Sequence, residues 1–421
     1  MPWIPRFIST RLTTAMKGSP VVFLNGARQS GKSTLVRQLI QSTDKHKQAA
    51  GTYVTFDRPN NIASATAAPE EFLQSFERPL ILDEIQMVPQ LFRALKLVID
   101  DERFQHPGKV NGNYLLTGSA NVLAIPQLAE ALVGRMSVLS LYPLSTAEAI
   151  QGKGNGLERI LKKDFNQLSN PKKLSLNRAI QLATFPEIHG LKKEDRANWL
   201  DGYITTLLQR DVKLLAEVEK IHLLPQLLRI LCNRAGGLLN DSDIGREAGL
   251  NSVTTKNYRK LFHHMFLTTE VKPWYKNKGK RLIKAPKGYI LDTAILCHMM
   301  DWDLEEIALR KPNIFGNILE NYVATELIKQ LSYAPPGNQL YHFRTSDGKE
   351  VDFVIEKANG EVFAIEVKST SLINESDFKG IRELASLAGK DFIGGIVLYN
   401  GKEVLPFDKE LWAIPFYALW Q

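Results

Sequence analysis

Residues 21–35 read VVFLNGARQSGKSTL, an apolar run followed by a glycine-rich loop and a polar turn. The run VVFL predicts a buried strand, and the pattern GxxxxGKS over residues 26–33 precedes apolar residues at helical spacing. Glycines let backbone N–H groups curl around a phosphate, and the helix that follows points its positive N-terminal end at the same anion. A loop that binds nothing is the alternative, but strand, glycines, lysine, hydroxyl and helix all stand in order here. The stretch therefore predicts a P-loop.

The predicted nucleotide contacts are the residues of this loop. Lys32 is expected to reach the β- and γ-phosphates, and the Ser33 hydroxyl is expected to bind Mg²⁺. The full set of loop contacts is Gly26, Ala27, Arg28, Gln29, Ser30, Gly31, Lys32, Ser33 and Thr34. ATP and Mg²⁺ are therefore the predicted cofactors.

A second apolar run, residues 79–86, reads PLILDEIQ and ends in an acidic pair. Ligands of parallel α/β sheets gather at the carboxyl ends of the strands, where this pair is expected to lie. We expect Asp83 to hold Mg²⁺ through water and Glu84 to act as the catalytic base that polarises the attacking water. A helix cap is the alternative for an isolated Asp-Glu pair, and the P-loop upstream favours the catalytic interpretation.

The composition is that of an ordinary globular chain. Its 421 residues are 44% hydrophobic, which suffices for roughly two to four domains with cores of their own. The formal net charge of +8 favours an anionic partner. Two cysteines imply no disulfide framework. No run approaches the ~18 apolar residues of a membrane span, and the first residues lack the apolar core of a signal peptide. We expect a cytoplasmic protein without a membrane partner.

Two further segments carry candidate nucleotide contacts. Residues 110–119, VNGNYLLTGS, predict a strand whose end presents Thr117 and Ser119, either of which can hydrogen-bond a phosphate or the attacking water. Residues 132–136, LVGRM, precede another predicted strand. Arg135 within them is a candidate charge for the nucleotide of the same chain or of a neighbour, and a surface salt bridge is the alternative.

The chain changes character after residue 150. Residues 151–173 are polar and lysine-rich and carry glycine and asparagine, which predicts a mobile insertion or linker. Residues 179–232 carry apolar residues at helical spacing and predict a helical lid over the nucleotide. Arg210 in this lid is a candidate sensor of closure, and an ion pair with a neighbouring acid is the alternative.

Residues 238–262, LLNDSDIGREAGLNSVTTKNYRKLF, predict a helix-turn-helix. Gly249 ends its first helix in a left-handed cap and Ser252 caps the second. Two strand-like runs around KPWYKNKGKR follow and predict a basic wing. The candidate nucleic-acid contacts are Thr254, Thr255, Lys256, Asn257, Lys260, Lys276, Lys278, Lys280, Arg281 and Lys284. Duplex or branched DNA is the predicted partner, and protein contact is the alternative.

The last third of the chain holds a second group of acidic candidates. They are Glu320 on a predicted helix over 315–331, Asp352 on a predicted hairpin over 341–355, and Glu366 with Lys368 on a predicted strand over 361–369. Asp352 and Glu366 are expected to bind Mg²⁺, and Lys368 to stabilise or deprotonate a nucleophile. With Glu320 completing the shell, the set predicts cleavage of phosphodiesters.

The whole chain resembles the prokaryotic AAA+ ATPases whose C-terminal half is a domain of unknown function. The stretches that carry the resemblance are GARQSGKST at 26–34, LDEIQ at 82–86, LTGS at 116–119, GR at 134–135 and RLIKAPKGYILD at 281–292. Similar proteins end in a fold that resembles the PD-(D/E)xK nuclease superfamily, whose core motif Asp352, Glu366 and Lys368 match. AAA+ proteins often form rings in which a neighbour supplies an arginine, which implies a homo-oligomer.

These observations predict an α/β protein of four parts. Its predicted parts are a P-loop AAA+ ATPase domain over 1–150, a linker and helical lid over 151–235, a winged helix over 236–300 and a mixed α/β, restriction-endonuclease-like domain over 301–421. The predicted function is ATP-driven DNA binding or remodelling, with Mg²⁺-dependent cleavage as an added activity. The alternative is a nucleotide-controlled regulatory or defence switch whose C-terminal parts bind proteins.

Overall fold

The computed structural model describes residues 3–44, 51–119, 132–166, 168–170, 173–212, 220–279, 281 and 284–421, without the side chains of 41–44 and 210–211. The chain divides into two units. Residues 6–143 together with 264–266 form the N-terminal unit, and residues 144–263 and 267–421 make up nearly all of the C-terminal unit. The predicted boundary near residue 150 is therefore found between Pro143 and Leu144.

A five-stranded sheet organises the N-terminal unit. Its strands are β1 (Val21–Gly26), β2 (Thr52–Thr55), β3 (Leu80–Asp83), β4 (Tyr114–Gly118) and β5 (Met136–Leu141). They run parallel in the order β2-β3-β4-β1-β5. The described helices are α1 (Ile8–Gly18), α2 (Lys32–Asp44), α3 (Pro59–Ala67), α4 (Pro69–Gln74) and α5 (Leu91–Gln105).

Burial explains why the strands of this sheet are apolar runs and do not alternate. Every residue of β1, β3 and β4 is buried, as expected for a parallel sheet covered on both faces. Phe23, Leu82 and Leu116 belong to one core cluster with α5. Because β4 lies between β1 and β3, the carboxyl ends of these three strands meet at one edge of the sheet.

Helices make up the first half of the C-terminal unit. They are α6 (Thr146–Ala149), α7 (Gly156–Leu161), α8 (Leu176–Leu182), α9 (Lys193–Thr206), α10 (Leu224–Asn233), α11 (Asp241–Ala248) and α12 (Ser252–His264). A π-helical turn over Leu207–Asp211 continues α9. Later in the chain come α13 (Thr293–Met299), α14 (Leu304–Arg310), α15 (Pro312–Tyr333) and α16 (Lys379–Ala388).

A mixed eight-stranded sheet completes this unit. Its strands are β6 (Thr268–Pro273), β7 (Lys287–Ile290), β8 (Gln339–Arg344), β9 (Glu350–Glu356), β10 (Val362–Lys368), β11 (Phe392–Tyr399), β12 (Leu405–Asp408) and β13 (Leu411–Pro415). The order is β12-β13-β11-β10-β9-β8-β6-β7. The predicted hairpin around Gly348 is confirmed, since β8 and β9 pair antiparallel.

The eight-stranded sheet includes strands from both sides of the boundary predicted between residues 300 and 301. β6 pairs antiparallel with β7 and parallel with β8, where Lys272 faces Tyr341 and Pro273 faces His342. The strands predicted as a wing are thus the end of the C-terminal sheet. Assignment of residues 236–300 to the winged-helix class, and of 301–421 to the nuclease-like class, stays a prediction.

The predicted pair of helices at 238–262 is confirmed. Asn240 caps α11 by accepting the Ser242 amide at 3.0 Å, and Gly249 ends it with a φ of 68°. That left-handed backbone is strained for residues with a Cβ, which explains the glycine. One detail differs: Asn251, rather than Ser252, accepts the Thr254 amide at the start of α12, at 2.8 Å.

The prediction of a mobile linker at 151–173 is wrong for residues 156–161. Residues 156–161 form α7, in which Leu157, Ile160 and Leu161 are buried. Their spacing places all three on one helix face, and the Leu157 amide donates to Gln330 Oε1 at 2.7 Å. The helix was not predicted because its apolar pattern is short and is flanked by glycines and lysines.

Candidate functional site

The loop between β1 and α2 has the shape that a P-loop requires. A Cβ on Gly26 would lie 2.1 Å from the carbonyl oxygen of Leu141 in the neighbouring strand, so only glycine fits there. The Lys32 ammonium is buried and donates to the carbonyls of Gly26 and Ala27 at 3.0 and 2.9 Å. The lysine therefore lies over the loop where it is expected to meet phosphate.

Three hydroxyl groups converge on the carboxylate of Asp83 at the end of β3. Ser33 Oγ donates to Asp83 Oδ1 at 3.1 Å, and Thr117 Oγ1 donates to the same oxygen. Tyr53 on β2 donates its hydroxyl to Oδ2. Burial, followed by the hydrogen bond to Asp83, raises the pKa of Tyr53 to about 12, so this hydroxyl stays protonated at neutral pH. The structure thus brings the loop serine and the strand-end aspartate together.

Glu84 occupies an unusual backbone conformation beside this carboxylate. Its φ and ψ of 59° and 44° are left-handed, a conformation that costs a non-glycine residue about 1–3 kcal/mol. Its carboxylate accepts from Gln86 Nε2, which also donates to Ser119 Oγ at 3.1 Å. Its amide donates to Thr117 Oγ1 at 3.3 Å. Both predicted sensor residues, Thr117 and Ser119, therefore lie within the acidic site.

The residues present fit a magnesium nucleotide. In the described part of the chain, the buried hydroxyl of Ser30 has no hydrogen-bond partner, although it lies inside the loop. A buried hydroxyl without a partner at this position is available to a phosphate oxygen. Ser33 and Asp83 supply the hydroxyl and carboxylate oxygens that Mg²⁺ prefers, and Lys32 supplies a cation for phosphate.

Three residues of this site, Arg6, Arg37 and Tyr53, were not assigned a role from the sequence. Arg6, ahead of α1, donates to the carbonyls of Ser30 and Tyr142, each at 2.7 Å, and is buried. Arg37 on α2 donates to the Tyr53 hydroxyl at 3.0 Å and lies over its ring, 4.4 Å from the centroid. Neither Arg6 nor Tyr53 belongs to a spacing motif, so only the folded chain shows their contacts.

Arg135 lies away from the P-loop. Its carbonyl accepts the Val21 amide at the start of β1, whereas the P-loop follows the end of that strand. Since β1 and β5 are parallel, Arg135 is at the opposite edge of the sheet from Lys32, and a role toward its own chain's nucleotide is wrong. It donates to both oxygens of Asp100 at 2.7 and 2.8 Å, as the salt-bridge alternative predicts. A role toward a neighbour's nucleotide stays a prediction.

Some predicted nucleic-acid contacts are exposed in the structure. Lys256, Asn257 and Lys260 are exposed on α12, and Thr254 is half-buried. Lys276, Lys278 and Lys284 are exposed between β6 and β7. The side chain of Arg210 and the whole of Lys280 lie outside the described residues.

Two predicted nucleic-acid contacts are wrong. Thr255 is fully buried, and its hydroxyl donates to the Asn251 carbonyl at 2.8 Å. Arg281 is 7% exposed and makes two hydrogen bonds to Glu356, at 3.0 and 2.7 Å. Its guanidinium also lies over the Tyr341 ring, 4.8 Å from the centroid. A guanidinium held by a carboxylate and a ring in the interior is not available to a phosphate.

The acidic candidates of the C-terminal unit do lie together, with a lysine that the sequence did not indicate. Lys287 on β7 donates to Glu320 Oε1 at 2.9 Å and lies 3.4 Å from Asp352 Oδ1. Lys368 donates to Glu366 Oε1 at 2.9 Å.

Backbone amides and a phenol complete this cluster. The Val367 amide donates to Asp352 Oδ2 at 3.0 Å, and the Asp352 amide donates to Glu366 Oε2 at 3.3 Å. Tyr289 donates its hydroxyl to Glu320 Oε1 at 2.7 Å. Burial, and then the charge of Asp352, raises the pKa of both Glu320 and Glu366. Burial alone would lower the pKa of Lys287, but the attraction of Asp352 and Glu320 raises it overall.

The predicted metal centre is not found in this cluster. Over the ranges that the structure describes, no three or more His, Cys, Asp or Glu side chains are grouped so as to hold a metal ion. Oxygens of Asp352 and Glu366 that were expected to bind Mg²⁺ accept from lysines and backbone amides instead. This geometry therefore does not support a magnesium-dependent nuclease site.

Family comparisons divide the chain into three. Residues 18–150 match the family described as AAA domain. Residues 173–306 and 315–419 match two families described as domains of unknown function, DUF8612 and DUF4143. With its P-loop and parallel sheet, the N-terminal unit is a nucleotide-binding P-loop domain of the AAA ATPase type, as predicted. None of the helices within the described ranges has the length and apolarity to cross a bilayer.

Relatives of the whole chain are uncharacterized proteins. One from Mycobacterium tuberculosis is 27% identical over 411 residues, 97% of this chain and 83% of that protein. One from Haemophilus influenzae is 24% identical over 82% of this chain and 81% of that protein.

Solved structures resemble the chain more distantly. The Walker-type ATPase of Pyrococcus abyssi is 14% identical with a TM-score of 0.38, covering 70% of this chain and 94% of that one. AMPPCP-bound DnaA from Aquifex aeolicus is 11% identical with a TM-score of 0.28, covering 60% and 86%. At TM-scores this low the likeness carries no functional inference.

Proposed function

We propose that this protein hydrolyses ATP at the edge of the N-terminal sheet where β1, β3 and β4 end. The observation that supports it best is the hydrogen bond between Ser33 and Asp83, at 3.1 Å. It joins the hydroxyl of the phosphate loop to the carboxylate of a neighbouring strand, which is the pair of groups that a nucleotide-bound Mg²⁺ requires.

Each side chain then has one task. Lys32 would exchange the carbonyls of Gly26 and Ala27 for phosphate oxygens, and Ser33 and Asp83 would hold the metal. Mg²⁺, when bound there, would neutralise the charge that develops during phosphoryl transfer. Glu84 takes a proton from the attacking water. In this structure Gln86 binds the Glu84 carboxylate, so Glu84 must leave Gln86 before it can act as a base.

Replacing Glu84 tests the proposal. Glu84→Gln keeps the shape of the side chain and removes the base, so turnover should fall about 10²-fold or more while nucleotide affinity stays near that of the parent. Steady-state phosphate release and titration with a fluorescent ATP analogue measure the two quantities. Lys32→Ala should lose the affinity itself.

The matched control is Glu77→Gln, an exposed carboxylate of the same unit, which should turn over like the parent. A Glu84→Gln protein that also turns over like the parent would remove Glu84 from its role. A parent that binds no nucleotide at millimolar concentration would end the proposal.

DNA binding by the C-terminal unit is a second proposed function. Between residues 248 and 291 the sequence has a single acid, Glu270, and this acid pairs with Arg259. Among the residues of this stretch that the structure describes, six lysines are exposed, namely Lys256, Lys260, Lys272, Lys276, Lys278 and Lys284. Exposed lysines in a stretch with so few acids favour an anionic polymer, and Lys256, Asn257 and Lys260 on one helix suit phosphates and base edges.

The salt dependence of binding tests this second function. Lys256→Glu with Lys260→Glu should weaken binding to duplex or branched DNA and lower the slope of log affinity against log salt by about 2, since each lysine–phosphate contact contributes about 0.9. Fluorescence anisotropy over a salt series measures the slope.

The charge-matched control is Lys390→Glu with Lys409→Glu, two exposed lysines outside this basic stretch. It should behave like the parent. Equal weakening by both double variants would indicate a general charge effect, and undiminished binding by the first would leave protein partners as the alternative.

A further inference from the structure

We propose that the ammonium of Lys287 takes the place of a divalent cation in the C-terminal carboxylate cluster. The cluster is then an internally neutralised ion-pair network, and removal of Lys287 should open a metal site that the parent protein lacks. This inference does not depend on the proposed ATPase activity.

The position of the ammonium carries the proposal. Lys287 Nζ lies 2.9 Å from Glu320 Oε1 and 3.4 Å from Asp352 Oδ1, so it bridges the carboxylates of α15 and β9. Its side chain is 4% exposed, compared with 17% for Glu320 and 9% for Asp352. A cation seated between these two oxygens would have to occupy the volume that this ammonium fills.

The positive charge of Lys287 also excludes a metal ion from this position. A divalent ion binds carboxylate oxygens at about 2.0–2.6 Å, which would place it next to a buried ammonium. Two like charges at contact distance repel strongly where burial weakens solvent screening. The lysine and a metal ion are therefore alternatives in this site.

The backbone that carries this ammonium is fixed by strand pairing. Lys287 is the first residue of β7 and faces Val271 of β6, and it also forms a bridge with Leu238. The neighbouring Tyr289 of the same strand donates to Glu320, the carboxylate that Lys287 binds. Because Lys287 is paired through its backbone with both Val271 and Leu238, its side chain has a fixed starting point beside the cluster. The positive charge is therefore a regular part of the site.

Manganese binding by the full-length protein tests the inference, with the electron paramagnetic resonance signal of free Mn²⁺ as the readout. Every variant carries Asp83→Asn, so that the nucleotide site contributes no metal binding. The Asp83→Asn protein should bind no Mn²⁺ in the micromolar range. Lys287→Met, whose side chain ends before the position of the ammonium and carries no charge, should gain one site, and adding Asp352→Asn should remove it.

Two results would overturn the inference. One is a Lys287→Met protein that folds, by circular dichroism, and gains no Mn²⁺ site. The other needs no variant of Lys287: Mn²⁺ bound by the Asp83→Asn protein and lost on Asp352→Asn would mean that metal and lysine coexist. This second arm decides the question even where Lys287→Met fails to fold.

Discussion

At the scale of single residues, the phosphate loop depends on a side chain from outside its motif. Arg6 donates to the carbonyls of Ser30 and Tyr142, and so ties the middle of the loop to the end of β5. The loop can present its amides to a phosphate only if its own carbonyls are held away. Arg6 is therefore a positioning residue for the nucleotide.

Arg6→Met should weaken both folding and nucleotide binding. It leaves two carbonyls without a charged donor, which costs about 2 kcal/mol, and it frees Ser30 to move. We expect a lower melting temperature and an affinity for a fluorescent ATP analogue that is weaker by about tenfold. Arg6→Lys, which can satisfy one carbonyl, should lie between the two proteins.

Lys17→Met is the control, because Lys17 is an exposed cation of the adjacent helix α1. It should bind nucleotide like the parent. Unchanged affinity in Arg6→Met would assign Arg6 to stability alone.

The sequence predicted those site residues whose spacing is set by local geometry. Lys32, Ser33, Asp83 and Glu84 lie at or after the ends of strands, in recognisable patterns. In the structure Lys32 binds the carbonyls of the phosphate loop, Ser33 binds Asp83, and Glu84 comes next in the chain. Tyr53 could not be found this way, because its role comes from a register between β2 and β3 that no spacing in the chain reveals.

At the scale of elements, the clearest departure from prediction is α7. A short helix among glycines and lysines has too few apolar positions for a periodic pattern to stand out. Its three buried apolar side chains nevertheless make it part of the core of the C-terminal unit. Phe165, which follows the helix, packs on Trp412 with 5.4 Å between the ring centroids.

Leu157→Ala tests whether this segment is structural. The side chain is 3% exposed, so its truncation should lower the free energy of unfolding by about 3 kcal/mol. Urea denaturation followed by circular dichroism measures the change. The exposed Lys162→Ala should remain within about 0.5 kcal/mol of the parent. A Leu157→Ala protein as stable as the parent would restore the interpretation as a linker.

At the scale of the whole molecule, the chain forms two units where the motifs and sequence patterns predicted four parts. The helical segment, the paired helices and the mixed sheet share one unit. Boundaries predicted from composition respond to polar stretches, whereas the actual grouping depends on strand pairings between distant residues. The pairing of β6 with β8 joins Lys272 to Tyr341, across the boundary predicted at residue 300.

That pairing has a practical consequence for how the two unknown-function families are understood. One match ends at residue 306 and the other begins at residue 315. A chain cut between these residues would separate β6 from β8. Each fragment would carry a newly bared strand, with unmet backbone donors and acceptors that recruit other chains and promote aggregation. The two families therefore match two parts of one structural unit, which we expect to fold together.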